Sequence, residues 1–184
     1  TGKQVRFEAC GGHFALSLDG VGEGFKESSK PHTLEFKTMN DKNFKATKNM
    51  GVEKSKPIYW AQCQIGMILS GLDRCYFFAV NKNTDEMYGE RIKLNKKEAQ
   101  GFLDKADKIV FSTLPPDKIA DDPSDWRCKF CPYFAICHGC KVPEVSCRTC
   151  AHVTPEQDGT WSCALGKPAV TCDDHLYIPQ IMPK

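Results

Sequence analysis

The segment HTLEFKT (residues 32–38) decides the fold, together with the segment HFALSLDG (residues 13–20) that precedes it. Both alternate apolar with polar residues as strands do, and the earlier one ends at Asp19, next to a glycine. Side chains of a strand alternate between its two faces, so Glu35 and Lys37 emerge on the same side. If the two strands are hairpin neighbours, the carboxylates of Asp19 and Glu35 lie close together beside an amine.

This arrangement predicts a cation site. Mg²⁺, or Mn²⁺ in its place, takes oxygen ligands and is usually held by one or two carboxylates plus a substrate phosphate. Phe36 separates Glu35 from Lys37, and we expect its ring to point into the core. The alternative interpretation is an exposed ion pair between Glu35 and Lys37, with Asp19 opening a turn.

The next motif is PIYWAQCQIGMILSGL (residues 57–72), which predicts a helix with Pro57 near its first turn and Gly71 near its end. Gln62 falls at the edge of the apolar face, where its amide can reach the groove that holds the carboxylates. Alternatively, Gln62 is a boundary glutamine bonded to nearby backbone. Helical spacing predicts that the buried face consists of Ile58, Ala61, Ile65, Ile68, Leu69 and Leu72.

Taken in order, SLDG (residues 17–20), LEFKT (residues 34–38) and YWAQCQIGM (residues 59–67) resemble the motifs of the PD-(D/E)XK nuclease superfamily. The helix is particularly similar to that of lambda exonuclease and RecB-type nucleases. The resemblance implies a restriction-endonuclease-like α/β (α+β) core with a mixed central sheet. It also implies a divalent-metal-dependent DNA nuclease, an exonuclease in phage or recombination and repair DNA processing.

Carried over to this chain, the resemblance implies that Asp19, Glu35 and the Phe36 carbonyl bind the catalytic metal. Lys37 would orient the attacking water, and Gln62 would support the site. Family members usually have an earlier helix that adds an acid or a histidine, whereas this chain opens with the strand-like TGKQVRFEA. We therefore expect a fragment that lacks this helix. The alternative is a catalytically silent, zinc-containing module on a nuclease-like fold that binds nucleic acid or protein.

The rest of the first half predicts two strands in residues 74–94 and a helix in residues 95–114, with Asn95 as its N-cap. A segment rich in Pro and Asp, PPDKIADDPSD, follows this helix and marks a boundary. The predicted organisation is a nuclease core at residues 1–114, a linker at 115–125 and a cysteine-rich module at 126–184.

Most of the cysteines fall in the last third of the chain. With no secretory signal, the C-x2-C pairs indicate metal ligands rather than disulfides. Two zinc sites are predicted, with interleaved pairing as the alternative and with His138, His152 and His175 as replacement ligands. The first would use Cys128, Cys131, Cys137 and Cys140, and the second would use Cys147, Cys150, Cys163 and Cys172.

The first of these sites also has a resemblance of its own. WRCKFCPYFAICHG (residues 126–139) resembles the C-x2-C-x5-C run of RecB-type nucleases that carry an iron-sulfur cluster. Such a cluster at Cys128, Cys131 and Cys137 competes with zinc, with Cys140 or the remote Cys10 as the fourth ligand. Two further cysteines, Cys63 and Cys75, are read as ordinary buried thiols.

The metal sites are expected to stabilise a C-terminal segment that is too short to fold on its own core, a role called stapling below. In a second interpretation the module also binds DNA or a partner protein, a role called gripping below. Aromatic residues that lie between metal ligands in the sequence usually pack around the site, which favours the stapling role. For the gripping role, the candidate contacts are Arg127, Lys129, Lys141, Arg148, Trp126, Phe130 and Tyr133.

Charge and hydropathy bear on the expected partners and on the location of the protein. The net charge is only +2, but residues 26–56 carry eight Lys and four acidic residues. No apolar run approaches the roughly 20 residues needed to cross a bilayer, so we expect a cytoplasmic protein of a bacterial or phage-infected cell. The expected partner is DNA, with a recombination or single-strand-binding protein as a second; a homo-oligomer is expected only by analogy. A phosphate track or a solvated loop would involve Lys42, Lys45, Lys48, Lys54 and Lys56.

Overall fold

The computed structural model describes residues 4–26, 28–168 and 172–182. The chain divides into two compact units, Thr1–Asp107 and Lys108–Lys184. The first unit combines helices with a mixed sheet, which confirms the coarse fold class predicted from the sequence. The first predicted strand begins at Val5, and residues 1–3 of that prediction lie outside the described residues.

Strands and helices follow one another in the first half of the chain as β1 (Val5–Ala9), β2 (Phe14–Leu18), β3 (Gly20–Gly22), β4 (His32–Met39), α1 (Asp41–Ser55), α2 (Pro57–Ser70), β5 (Arg74–Asn81), β6 (Met87–Lys93) and α3 (Lys96–Phe111). The two strands predicted after α2 are confirmed as β5 and β6. The side chain of Asn95 accepts a hydrogen bond from the Glu98 N–H at 3.2 Å, as predicted for the N-cap of α3.

The central sheet has the strand order β3-β4-β5-β6. β3 is antiparallel to β4, β4 is parallel to β5, and β5 is antiparallel to β6. β1 and β2 form a separate antiparallel pair. Parallel neighbours need a long crossover connection, and α1 with α2 provides it.

Helix α1 was not predicted, because its segment is polar and rich in lysine. It begins after Asn40, whose side chain accepts a hydrogen bond from the Asn43 N–H at 2.9 Å. Gly51 interrupts the helix with a φ of 78°, a conformation that favours glycine. The N–H of Val52, freed by this break, donates to the Glu90 carboxylate at 2.9 Å. The crossover is thus a bent helix anchored to β6.

Helix α2 confirms the predicted ends, with Pro57 in the first turn and Gly71 in the left-handed conformation at the C-cap. The predicted buried face is wrong. Ile58 is 81% exposed, whereas Cys63 and Met67 are buried. The helix is apolar on most of its surface, so spacing alone does not select the side that meets the sheet.

The core of the first unit lies between the central sheet and helices α1 and α2. The predicted buried thiols, Cys63 and Cys75, are both part of it. Aromatic and aliphatic side chains from both layers complete it. The buried residues of this cluster are Met39, Phe44, Val52, Cys63, Met67, Cys75, Phe77, Ala79 and Ile92.

The second unit has little regular structure. It contains the short helix α4 (Phe134–Cys137) and an antiparallel hairpin of β7 (Val153–Pro155) and β8 (Trp161–Cys163). In its described part, the buried residues are Cys128, Pro143 and Cys150. A unit with so small an apolar core needs another source of stability.

Candidate functional site

Asp19 lies between β2 and β3, at the edge of the central sheet. β3 pairs with β4 so that Gly20 lies opposite Leu34. One carboxylate oxygen of Asp19 accepts a hydrogen bond from the Phe36 N–H at 2.8 Å. The structure therefore brings Asp19 to the backbone of the motif strand, immediately beside Glu35.

The face of β4 that carries Phe36 is opposite to the one expected. Phe36 is 49% exposed and Glu35 is 2% exposed, so the prediction that the Phe36 ring points into the core is wrong. Helices α1 and α2 cover the Glu35 face of the sheet, whereas the ring of Phe36 lies against Phe78 on the other face, with 6.2 Å between ring centroids. The Phe36 N–H points toward Asp19. The N–H and C=O of one strand residue point to the same side, so the Phe36 carbonyl also points toward the Asp19 edge of β4.

Glu35 and Lys37 form an ion pair through Glu35 Oε1 and Lys37 Nζ. Only 23% of the Lys37 side chain is exposed. Lys37 Nζ also lies 5.0 Å from the centroid of the Tyr59 ring, a cation–π contact that holds the amine from a second side. Tyr59 in turn stacks on the buried Phe77. The amine is therefore positioned between a carboxylate and an aromatic ring.

Burial raises the pKa of Glu35, the hydrogen bond and charge of Lys37 oppose this rise, and the nearby Asp19 carboxylate adds to it. Two carboxylates and one amine leave an excess of negative charge. Glu35 Oε1 is buried, with the Lys37 amine as its partner. A buried carboxylate beside a second carboxylate suits a hard divalent cation.

Cys63 is a neighbour of this pair that sequence reasoning did not assign to the site. Its hydrogen bond with Cys75 and its burial raise its pKa, and the Glu35 charge adds to this effect. Cys63 is therefore a neutral thiol under the carboxylate. Its position one helical turn after Tyr59 was the available signal, since residues four apart share a helix face.

The two glutamines of α2 have different environments. Gln64 is fully buried, and its amide donates to the Lys93 carbonyl at 3.0 Å and accepts from the Asn95 N–H at 2.8 Å. Gln64 thus joins α2 to the end of β6. Gln62, the predicted site residue, is half-buried.

The orientation of Gln62 follows from Gly66, one turn further along α2. A Cβ atom added at Gly66 would lie 2.7 Å from a terminal methyl carbon of Leu18. The helix face shared by Gln62 and Gly66 therefore turns toward β2, the strand that ends at Asp19. This places Gln62 on the side of α2 that faces the strand ending at Asp19.

Among the described residues, no third acidic, histidine or cysteine side chain joins Asp19 and Glu35 in a metal-binding group. Glu8, one acid of the N-terminal hairpin, is exposed and paired with Arg6 at 2.9 Å. Within residues 4–26, 28–168 and 172–182, no three His, Cys, Asp or Glu side chains are grouped as a formed metal site. The carboxylate site thus offers two side chains and one carbonyl.

Three of the five lysines predicted to line a phosphate track already have polar partners. Lys45 pairs with Asp41 at 2.8 Å, and Lys48 pairs with Glu86 at 2.5 Å. Lys56 donates to the side chain of an asparagine at 2.8 Å. These contacts partly neutralise the charge of the segment, so the lysine count overstates its attraction for phosphate.

Within the described residues, the cysteines of the first predicted site are not grouped as a formed metal site. Cys128 is buried, and its burial raises its pKa, followed by the charges of Asp125, Cys137 and Cys131. Cys137 and Cys131 therefore lie within electrostatic range of Cys128. Cys140 is exposed, and its thiol lies 3.8 Å from the His138 carbonyl oxygen.

The second predicted cysteine site is a small cavity of about 20 Å³. Four thiols from three separate segments line it, and two histidines accompany them. The cysteines and histidines in its wall are Cys147, Cys150, Cys163, Cys172, His152 and His175.

The aromatic residues around the first cysteine site are exposed, in contrast to the packed arrangement that favours a purely stapling role. Phe130 is 88% exposed, and Trp126 and Tyr133 are also exposed. The amine of Lys129 lies 6.0 Å from the centroid of the Phe130 ring. Arg127 is held by Asp125 through two hydrogen bonds of 3.0 and 2.9 Å.

Comparisons with other proteins give no relatives. No protein-family model matches the chain, and neither the curated proteins nor the solved structures include a significant match. Among the described residues, no helix combines the length and the apolar character needed to span a membrane. Function must therefore be argued from the site itself.

Proposed function

We propose that this chain is a divalent-metal-dependent DNA nuclease of the PD-(D/E)XK type, with exonuclease action. The observation that carries this proposal is the meeting of Asp19, Glu35 and Lys37 at one edge of β4, with Glu35 buried and ion-paired. An ordinary surface ion pair on a strand would leave its carboxylate in water. The order of elements also supports it, because β4 lies between an antiparallel and a parallel neighbour in a mixed sheet.

Asp19, Glu35 and the Phe36 carbonyl would hold Mg²⁺ or Mn²⁺. When bound, such an ion acidifies a water molecule and polarises a phosphate oxygen. The burial of Glu35 keeps bulk water away from one side of the site. The hydrogen bond from Phe36 N–H fixes Oδ2 of Asp19 at 2.8 Å, and Oδ1 accepts a longer hydrogen bond of 3.5 Å from the exposed Gln4 side chain, which a cation would have to displace.

Lys37 is assigned the role of orienting the attacking water and stabilising charge on the phosphate. Its amine is held between Glu35 and the Tyr59 ring, so it is preorganised before substrate arrives. A cation bound at the two carboxylates would compete with Lys37 for Glu35 and free hydrogen-bond donors of the amine. Gln62, on the α2 face that turns toward β2, is assigned a supporting role in this groove.

The test is cleavage of end-labelled linear and circular DNA by the purified chain in Mg²⁺, in Mn²⁺ and in EDTA. Glu35→Gln and Lys37→Met are the site variants, and Glu8→Gln on the exposed hairpin is the matched control. Loss of linear DNA alone, abolished by EDTA and both site variants but not by the control, is the expected result. Cleavage of circular DNA as well would mean endonuclease action, and no cleavage in either metal would refute the proposal.

A catalytically silent nucleic-acid-binding module is the second candidate. It is favoured by one observation, that no third acidic side chain or histidine joins Asp19 and Glu35 in the part of the chain that the structure describes. Retained binding of an oligonucleotide without cleavage, in Mn²⁺ as well as in Mg²⁺, would select this function. The exposed aromatic residues near Cys128 would then be the expected contacts.

A further inference from the structure

We propose that Cys147, Cys150, Cys163 and Cys172 bind one structural Zn²⁺, and that this ion fastens the C-terminal segment to the β7–β8 hairpin. The proposal concerns the second unit alone and does not depend on the nuclease assignment. It selects the grouping of these cysteines by sequence order over the interleaved one.

The first support is that all four thiols line the same small cavity. Cys147 begins and Cys150 follows a single turn of 3-10 helix, which is a compact way to present two ligands. Cys163 is the last residue of β8, and Cys172 belongs to the segment that returns to this turn. Three chain segments therefore meet at one place, as four-thiolate zinc sites require.

The second support is the backbone pairing that encloses the cavity. The Ala151 N–H donates to the Leu176 carbonyl at 2.7 Å, and the Ile178 N–H donates to the Thr149 carbonyl at 3.0 Å. The two bonds lie on either side of Cys150 and pair it, in antiparallel direction, with Tyr177 of the C-terminal segment. An ion bound by Cys150 and Cys172 would close this pairing at its open end.

The third support is the small apolar core of the unit. No disulfide joins the cysteines of the described residues. In the described part of the unit, the buried residues are Cys128, Pro143 and Cys150, so two of the three are cysteines. Burying thiols in place of aliphatic side chains makes sense when they serve as ligands, since metal binding then supplies folding free energy.

The histidines of the cavity are assigned to its wall. His175 Nε2 lies 3.2 Å from the Thr149 hydroxyl oxygen, and its ring packs edge-on against Tyr177. These contacts occupy one ring nitrogen and hold the ring between Thr149 and Tyr177. The four thiols are not grouped as a formed site, so binding would draw the sulfur atoms together and release their protons.

The first experiment measures the metal content of the full-length chain and of two ligand variants. Zinc and iron are quantified by mass spectrometry in the wild type, Cys163→Ser, Cys172→Ser and the control Ser162→Ala, an exposed neighbour of Cys163 on β8. Each ligand variant is expected to lose one equivalent of zinc relative to the wild type, and the control is expected to lose none from this site. Unchanged zinc in either ligand variant, or loss of iron in place of zinc, would overturn the proposal.

The second experiment uses the wild type, so it does not depend on variants that fold. A chelator is added in steps, and the alkylation of each cysteine and the hydrogen exchange of the Ala151 and Ile178 amides are followed by mass spectrometry. The four thiols are expected to become reactive together, in the same step in which both amides lose protection. If the thiols respond in separate steps, or the amides exchange without regard to zinc, the ion does not fasten the segment.

Discussion

The ion pair between Glu35 and Lys37 allows a sharp prediction about stability in the absence of metal. Removing one partner of a buried pair costs about 3–5 kcal/mol, because an uncompensated charge remains. The Lys37 side chain is 23% exposed, so solvent screens part of this charge and we expect a cost of about 2 kcal/mol for Lys37→Met at pH 8. In a Glu35→Gln background the same change should cost almost nothing, because no buried carboxylate is left unpaired.

The predicted cost depends on pH, with a sign that follows from the raised pKa of Glu35. Below the unfolded-state pKa of about 4.3, Glu35 is protonated in both states and Lys37→Met is nearly neutral. As the pH rises through the folded-state pKa, the folded protein must hold a buried charge and loses stability. Lys37 lowers the pKa of Glu35, so in Lys37→Met the folded-state pKa of Glu35 is higher still. The variant therefore loses more stability than the wild type as the pH rises.

Urea denaturation in EDTA, followed by circular dichroism, measures these free energies of unfolding for the wild type, both single variants and the double variant. A coupling of about 2 kcal/mol at pH 8 that shrinks toward pH 4 is the expected result. Additivity within about 0.5 kcal/mol, or an equal cost of Lys37→Met at both pH values, would refute the described burial of the pair.

Three further predictions address packing, the helix glutamines and nucleic-acid contact. Gly66→Ala should destabilise the first unit by about 1–2 kcal/mol, because the new Cβ would press on the buried Leu18 and force a small shift. Gln64→Leu should lower the free energy of unfolding by about 2 kcal/mol, because both hydrogen bonds of the Gln64 side chain to backbone are lost. Gln62→Leu should change the free energy of unfolding by no more than about 0.5 kcal/mol but should slow DNA cleavage. Phe130→Ala should weaken binding of a single-stranded oligonucleotide by about 1–3 kcal/mol, because an exposed ring offers a stacking surface for a base.

Each of these predictions has its own control and measurement. The control for Gly66→Ala is Gly101→Ala on α3, where a new Cβ meets nothing within 4 Å. In thermal melts of both variants, Gly101→Ala should stabilise the protein by about 0.5–1 kcal/mol. Equal effects at both glycines would contradict the packing of α2 against Leu18. For the glutamines, melts and cleavage rates are compared, and a large loss of stability in Gln62→Leu would show that it is structural. For Phe130, fluorescence anisotropy is the assay, and unchanged affinity would remove the ring from the interface.

Local signals in the sequence account for much of the first unit. Pro57 and Gly71 mark the ends of α2 because a helix accepts proline in its first turn and ends readily at a left-handed residue. The carboxylates and the amine could be placed together, because alternation along a strand puts Glu35 and Lys37 on one side whichever face is buried. None of this requires knowledge of distant contacts.

Choices that depend on tertiary contacts could not be predicted in the same way. In HTLEFKT, the apolar Leu34 and Phe36 favour their own face as the buried one, but the two helices cover the Glu35 face instead. Likewise Ile58 looks like a core residue, yet it lies on the side of α2 that points away from the sheet. Helix α1 was missed because few of its residues are buried, and its anchor, Glu90, lies far away in sequence.

The parallel pairing of β4 with β5 has a consequence for how the chain folds. β5 and β6 are joined by a short turn and can pair early, whereas β4 can join them only after the long crossover through α1 and α2 is in place. Until then the edge of β5 that will receive β4 presents unpaired backbone groups to other chains. Aggregation during refolding should therefore compete with this one late step, and conditions that stabilise the crossover helices should raise the yield of native protein.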